Sequence, residues 1–385
     1  MKKIIASAVG IVMVGGVAVT SASAVENIFG GYWRTRIVSQ SDFNVDRTSW
    51  NRVDNRTRLY YTAKFSDDFK FVNKFEHNTA WGDDNGGDVG ADGTGILRIK
   101  QSYADFNTGM VNTKLGIMGG TISRGFLFSD DFSGAKVTIN TGSVAVPLWW
   151  IRQEGEYAAG GTADEDMFAA QGKFKVGDMG TITPYVMSHT RGGDSDLSAF
   201  YVGVDADLKF GDAKTWGTFI YQGGSDATDQ DNGGYLLAAG GSMSIVHGQV
   251  FYATGDDTPD GDNDAFIAPK GRSYYWSEIM GFGTFDQATS NGSPGDGITN
   301  IFAANVGVKV KPMDKLTLTA DIWYAALAEE NLAGDDSLGT EVDLKLTYAV
   351  MDNLNLDLVG AMLFAGDATG DEDPVEIGAR LSLSF

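Results

Sequence analysis

Glu376-Ile377-Gly378-Ala379-Arg380-Leu381-Ser382-Leu383-Ser384-Phe385 closes the chain, and its reading decides the fold class. Ile377, Ala379, Leu381, Leu383 and Phe385 share one side of an extended backbone. Glu376, Gly378, Arg380, Ser382 and Ser384 share the other. This is a period-two strand, apolar on one face and polar on the opposite one. Left as a free edge it would template aggregation, and a closed barrel removes the edge. The same alternation recurs upstream: Val202, Val204, Ala206, Leu208 and Phe210 against Tyr201, Gly203, Asp205, Asp207 and Lys209. It recurs again in Val342, Leu344, Leu346 and Tyr348 against Glu341, Asp343, Lys345 and Thr347.

Read this way, the chain predicts about 18 strands at 28–38, 54–66, 69–81, 96–107, 111–119, 134–142, 146–157, 164–176, 179–190, 197–210, 213–223, 233–244, 247–254, 300–311, 314–328, 337–348, 353–366 and 374–385. Merging 134–142 with 146–157 would give 16. Most reach the roughly 9–11 residues that a tilted strand needs to cross a bilayer. Short connections with turn chemistry (Ser66-Asp67-Asp68, Gly177-Asp178-Met179-Gly180, Gly211-Asp212, Met351-Asp352-Asn353) alternate with long ones at 39–53, 82–95, 119–133, 224–232, 255–299, 329–336 and 367–373. A membrane barrel has this short–long rhythm. A soluble β-sandwich also alternates. Long strands, outward faces that stay apolar, and aromatics near strand ends (Tyr32-Trp33, Tyr60-Tyr61, Trp81, Trp149-Trp150, Trp216, Tyr221, Trp323-Tyr324, Phe385) favour the membrane.

Lys2 and Lys3, an apolar run from Ile4 to about Val19, and Ser21-Ala22-Ser23-Ala24 read as a signal peptide over 1–24, leaving 25–385 as one barrel. The absence of cysteine excludes disulfide scaffolds and thiolate metal sites. A net charge of −22 argues against nucleic acid. The 51 glycines and 7 prolines suit many strands joined by flexible loops.

An arginine or lysine facing lipid would cost about 2–4 kcal/mol at the bilayer midplane. Alternation therefore assigns Arg34, Arg36, Arg56, Arg58, Lys74, Arg98, Lys100 and Lys114 to the lumen. Asp205, Asp207, Asp321, Glu341, Asp343, Asp357 and Glu376 take lumen positions on later strands, which predicts an acidic wall facing the basic one. Residues 25–152 carry 15 basic and 14 acidic side chains, and 153–385 carry 12 and 37. The connection 119–133 contains Phe126, Leu127, Phe128 and Phe132, which a wholly external loop would expose. Folded inward, it would hang Asp130 and Asp131 opposite the arginines.

With these features the chain resembles a Gram-negative outer-membrane porin over essentially its full length, down to the terminal Phe385, which resembles the C-terminal signature of such barrels. The resemblance implies an all-β, transmembrane antiparallel up-and-down β-barrel of 16–18 strands with a constriction loop folded into the lumen. It also implies a homotrimer and an eyelet with Arg34, Arg36, Arg56, Arg58 and Arg98 on the basic side and Asp130 and Asp131 on the acidic side. The family's Pro-Glu-Phe-Gly-Gly-Asp loop motif is absent, and Phe128-Ser129-Asp130-Asp131-Phe132-Ser133-Gly134 has a similar character. A count of 18 exceeds the sixteen strands of general porins and matches the sugar-specific ones.

The expected function is passive diffusion of ions and small hydrophilic solutes through the cell outer membrane, with a weak cation preference. The rivals are a substrate-specific channel, for sugars or housing a partner, and a non-conducting surface adhesin. His77, His189 and His247 are isolated in sequence, so no enzyme is expected. No cofactor is expected either. Asp260, Asp262 and Asp264 in an outer loop are a weak Ca²⁺ candidate, a bridge to lipopolysaccharide, although Ala265 stands where an EF-hand needs glycine. The long connection 255–299, with Ser273-Tyr274-Tyr275-Trp276 and Phe282-Gly283-Thr284-Phe285, is read as capping the pore, stacking on a sugar or packing on a neighbour.

Overall fold

A computed structural model describes residues 25–44, 47–82, 97–155, 163–192, 197–225, 231–257, 261–285 and 297–385. Residues 1–24, read from the sequence as a signal peptide, and Asp260 lie outside them. The strands are β1 (Glu26–Asn44), β2 (Arg47–Ser66), β3 (Phe69–Ala80), β4 (Arg98–Thr108), β5 (Val111–Ile122), β6 (Phe128–Asn140), β7 (Val144–Glu154), β8 (Glu165–Gln171), β9 (Lys173–Lys175), β10 (Gly180–Arg191), β11 (Leu197–Phe210), β12 (Ala213–Ser225), β13 (Asp231–Met243), β14 (Val246–Ala253), β15 (Ile301–Met313), β16 (Leu316–Ala326), β17 (Ser337–Met351), β18 (Leu354–Ala365) and β19 (Val375–Ser384). Apart from β8 and β9, each pairs antiparallel with its neighbour in sequence, and β19 pairs with β1 to close the ring. The short β9 continues β8: both bond to β7 and to β10, so the two form one rung broken at Gly172. The barrel thus has 18 rungs, and the pair at 134–142 and 146–157 stays separate as β6 and β7.

Alternation sorts the side chains as the terminal strand announces. Ile377 is 63% exposed while Glu376 beside it is 1% exposed. Leu344 is 58% exposed between Asp343, which is buried, and Lys345, which is half-buried. Apolar groups point outward and carboxylates inward, the reverse of a soluble sheet protein. Adjacent aromatics split between the faces for the same reason. Tyr324, Tyr221, Trp81 and Phe385 are exposed outside. Trp149 and Trp323, assigned to the outer belt by sequence, are buried inside, and Trp216 lies under Arg124 in the lumen.

The β5–β6 hairpin leaves the wall. Its register places Gly116 opposite Gly134, both at positive φ (129° and 159°). A Cβ at either would strike the backbone of the neighbouring strand, 2.4 Å from the Ser102 oxygen or 1.9 Å from that of Trp150. This double glycine is the bend. Above it, 118–122 and 128–132 pair with each other and with no barrel strand beside them among the described residues, because β4 stops bonding to β5 at Ile117 and β7 stops bonding to β6 at Ser133. The connection expected at 119–133 is therefore mostly a two-stranded ribbon, with a single tight turn at Ser123–Gly125.

Candidate functional site

The ribbon crosses the lumen and docks by its tip on β10, β11 and β12. The Tyr185 hydroxyl donates to Ser123 Oγ (2.7 Å), and Ser123 Oγ donates to Asp205 Oδ1 (3.2 Å). Arg124 donates through Nη2 to the Ala206 carbonyl (3.0 Å) and pairs with Asp207 (2.8 Å). Its Nε donates to Thr218 Oγ1 (3.2 Å), and the guanidinium lies 4.9 Å from the Trp216 ring centre. Ser123 and Arg124 hold left-handed backbones, φ 50° and 55°. Such conformations cost about 1–2 kcal/mol for a residue with a side chain, so these contacts over-determine the turn.

A second inward element is the strap, residues 261–285 of the β14–β15 connection. The Ile267 N–H donates to Gln222 Oε1 (2.6 Å), and the Tyr201 hydroxyl donates to the Ile267 carbonyl (2.8 Å). Tyr274 donates to Gln249 Oε1 (2.6 Å), and burial pushes its phenol above the ordinary range, which keeps the donor proton in place. On the far wall, Glu341 accepts from the N–H groups of Ile279 (2.6 Å) and Met280 (2.9 Å). Lys345 donates to Thr284 Oγ1 (2.9 Å), and Arg36 donates to the Phe285 carbonyl. Phe285 is buried against Val38 and Val359. A Cβ at Gly378 would lie 2.2 Å from its ring. Gly378→Val is therefore expected to expel Phe285 and forfeit about 1.5–3 kcal/mol of burial. Chymotrypsin should then cut the strap about ten- to a hundredfold faster in a barrel that still shows heat-modifiable gel mobility.

Ribbon and strap divide the lumen. One cavity of about 410 Å³ is lined by Arg56, Arg58, Glu76, Lys100, Asp130 and Asp131. Arg58 pairs with Glu76 at 2.6 Å, Arg56 stands 3.6 Å from the same carboxylate, and Lys100 pairs with Asp131 at 2.9 Å. Gln101 also donates to Asp131 (2.6 Å). A register shift between Lys74 and Phe75 lets both neighbours on β4 reach it. A larger chamber of about 920 Å³ is bordered by Trp216, His247, Glu278, Asp321, Asp343 and Arg380. Tyr275, 58% exposed, lines both cavities.

No protein-family model matches the chain, and no curated protein matches it. Solved structures do. OccK9 (OpdG) of Pseudomonas aeruginosa superposes with a TM-score of 0.66 at 13% identity, over 94% of this chain and 99% of that one. OccK2 (OpdF) of the same organism gives 0.64 at 14% identity, over 94% and 98%. The P. aeruginosa outer membrane protein OpdK gives 0.61 at 14% identity, over 93% and 99%. The fold is that of these outer-membrane porin barrels.

Within this porin-like barrel the sequence-assigned residues divide into two groups. Arg56, Arg58, Lys100, Asp130 and Asp131 converge on the smaller cavity. Arg98 is exposed at the start of β4, in register with Glu76. Lys74 covers the Tyr60 ring (5.1 Å), and Lys114 stands 3.6 Å from Asp105. Arg34 and Arg36 are buried, and Arg36 grips Asp54 through two hydrogen bonds (2.9 and 2.8 Å). Asp205 and Asp207 hold the ribbon tip. Asp321 lies 2.8 Å from His247 Nε2 and accepts from Asn305 (2.7 Å).

Most of the acidic wall is not across from the basic one. Ring closure sets β17, β18 and β19 beside β1, and of the strands carrying these carboxylates β11 lies across from β1 and β16 nearly across from β5. Glu341 is buried beneath the strap rather than lining the pore, and Asp343, also buried, accepts from the Glu278 N–H (3.3 Å). Sequence reading missed Arg124, Tyr275 and Glu278 as lumen residues, and it set Lys345 and Arg380 on the polar face of their strands without naming them as site residues. Arg124 lies inside the connection it flagged, and Tyr275 inside Ser273–Trp276, which it singled out without an orientation. At the Ca²⁺ candidate, Asp262 and Asp264 are described, and no group of three or more potential ligands able to hold a metal occurs among the described residues.

Proposed function

We propose that the protein is a channel in the outer membrane of a Gram-negative bacterium, passing ions and small hydrophilic solutes down their gradients. The observation that carries this reading is a pair of lumen cavities bordered by charged side chains and meeting at Tyr275, inside a ring whose exterior is apolar. The smaller cavity sets Arg56, Arg58 and Lys100 against Glu76, Asp130 and Asp131, three charges of each sign, so passage there is governed by local pairing rather than by net charge. The chain's excess of carboxylates supports a weak cation preference.

A substrate-specific channel is the second reading. Its support is the narrowing itself, since ribbon and strap leave chambers of about 410 and 920 Å³ in place of an open tube. No catalytic step is needed for either reading. Contact with lipopolysaccharide, a calcium bridge at Asp262 and Asp264, and a homotrimer rest on the resemblance and on loop composition. Mass measurement in detergent reads monomer or trimer directly.

Planar-bilayer recording tests the reading. Neutralising Arg56 and Arg58 to alanine is expected to move the cation-to-anion permeability ratio toward cations by about fivefold, the weight of roughly 1 kcal/mol between charges at contact in water. Asp130→Asn with Asp131→Asn should move it the other way by a similar factor. Reversal potentials in a salt gradient give the ratio. A wild-type protein that never conducts would reduce the barrel to the surface-adhesin alternative.

A further inference from the structure

We propose that the β5–β6 ribbon and the strap are a single interlocked gate, swinging in and out of the lumen together rather than as two independent constrictions. The proposal rests on the channel reading above for its consequence, and on three features of the lumen for its substance.

The two elements are zipped by backbone. Ser129 N–H donates to the Gly271 carbonyl (2.8 Å), and Ser273 N–H donates to the Gly125 carbonyl (3.0 Å). As the ribbon runs from 125 to 129 the strap runs from 273 to 271, so the pairing is antiparallel and belongs to neither barrel wall. Their rings are stacked as well: Phe126 lies on Tyr274 with centroids 3.8 Å apart and planes 21° from parallel. The contact is also too close for a side chain at Gly271, whose Cβ would meet the Phe128 ring at 2.6 Å.

The apolar side chains of the ribbon pack against the strap as well as against the wall, where Phe126 meets Phe251 of β14 and Phe132 meets Trp149 of β7. Ile122, Phe126 and Leu127 are wholly buried, and they belong to one cluster with Phe266, Ile279 and Met280 of the strap. Withdrawing either element would expose to the water of the lumen the apolar surface that the other shares with it, so each stabilises the other's inward position. The strap's first part shares β11 and β12 with the ribbon through Tyr201 and Gln222, but the end anchors lie apart on the ring. Arg124 fixes the ribbon to β11 and β12, while Phe285 wedges the strap against β1, β18 and β19. An opening that starts at one anchor must therefore carry the other element with it.

Hydrogen exchange on the purified full chain in detergent reads the coupling. Two variants each cut one anchor, Arg124→Ala and Phe285→Ala. If the gate is one unit, either variant speeds exchange in both 118–132 and 271–285 by the same factor, about tenfold or more. Acceleration confined to the segment whose anchor was cut overturns the proposal. Tyr274→Ala, which removes the stack and leaves both anchors, is expected to separate the two segments so that each then answers only to its own anchor. If they still respond together, the zip is not the coupling element and the proposal fails. Because exchange needs no current, the outcome stands apart from the channel reading, which bilayer recording tests alone. Protein that conducts but exchanges segment by segment retains the function and loses the interlock.

Discussion

Replacing Glu341 by leucine is expected to enlarge the single-channel conductance more than any other substitution considered. Glu341 is fully buried, and its carboxyl oxygens satisfy two strap N–H groups, those of Ile279 and Met280. Each bond is worth about 1–3 kcal/mol when its loss strands a buried donor. Together they represent about 2–6 kcal/mol, a factor of roughly 30 to 10⁴ in the balance between a strap folded inward and one released to water. Because the strap borders both lumen cavities through Tyr275, its departure removes the partition between them. Conductance unchanged in a correctly folded Glu341→Leu barrel would mean that the strap stays inside without this carboxyl group.

The second large effect tests which face meets lipid. Leu344→Arg places a guanidinium at the middle of β17 on the outward side. Its expected cost is about 2–4 kcal/mol of folding free energy in a bilayer, read as a lowered urea midpoint for refolding into lipid vesicles. The next residue, Lys345, already carries a charge on the same strand at no such cost, since it points inward to Thr284. A mild effect at 344 would require that side of the wall to face water.

Much of the wall was legible because membrane strands obey a rule with a period of two, and a charged side chain has only one tolerable side. Arg58, Asp205 and Glu376 could each be assigned to the interior from their immediate neighbours. What alternation cannot convey is where the ring returns upon itself. The acidic residues of β17 to β19 look distant from Arg36 along the chain and are its neighbours in space. Nor does period-two patterning apply to segments that leave the wall. The ribbon was detectable from Phe126, Leu127, Phe128 and Phe132, which needed cover. The strap has the same kind of cover-seeking residues in Trp276, Ile279, Met280 and Phe285, but its length and its many glycines left inward and outward courses equally open. Adjacent aromatic pairs misled for a related reason, since Trp149-Trp150 and Trp323-Tyr324 must divide between lumen and lipid.

The seam between β1 and β19 carries a kinetic consequence. Phe385 accepts at its carbonyl from the Gly31 N–H (2.7 Å) and donates its own N–H to the Gly31 carbonyl (3.2 Å), while Gln40 and Glu376 meet across 336 sequence steps. Contacts of such span are slow to form, because the chain must first surrender the freedom of everything between them. Until that weld is made the cylinder is an unrolled curtain with two adhesive hems, and neighbouring copies compete to stitch onto either one. Handling during biogenesis must therefore keep the two hems apart from strangers until the final aromatic residue has found its partner at the other end of the polypeptide.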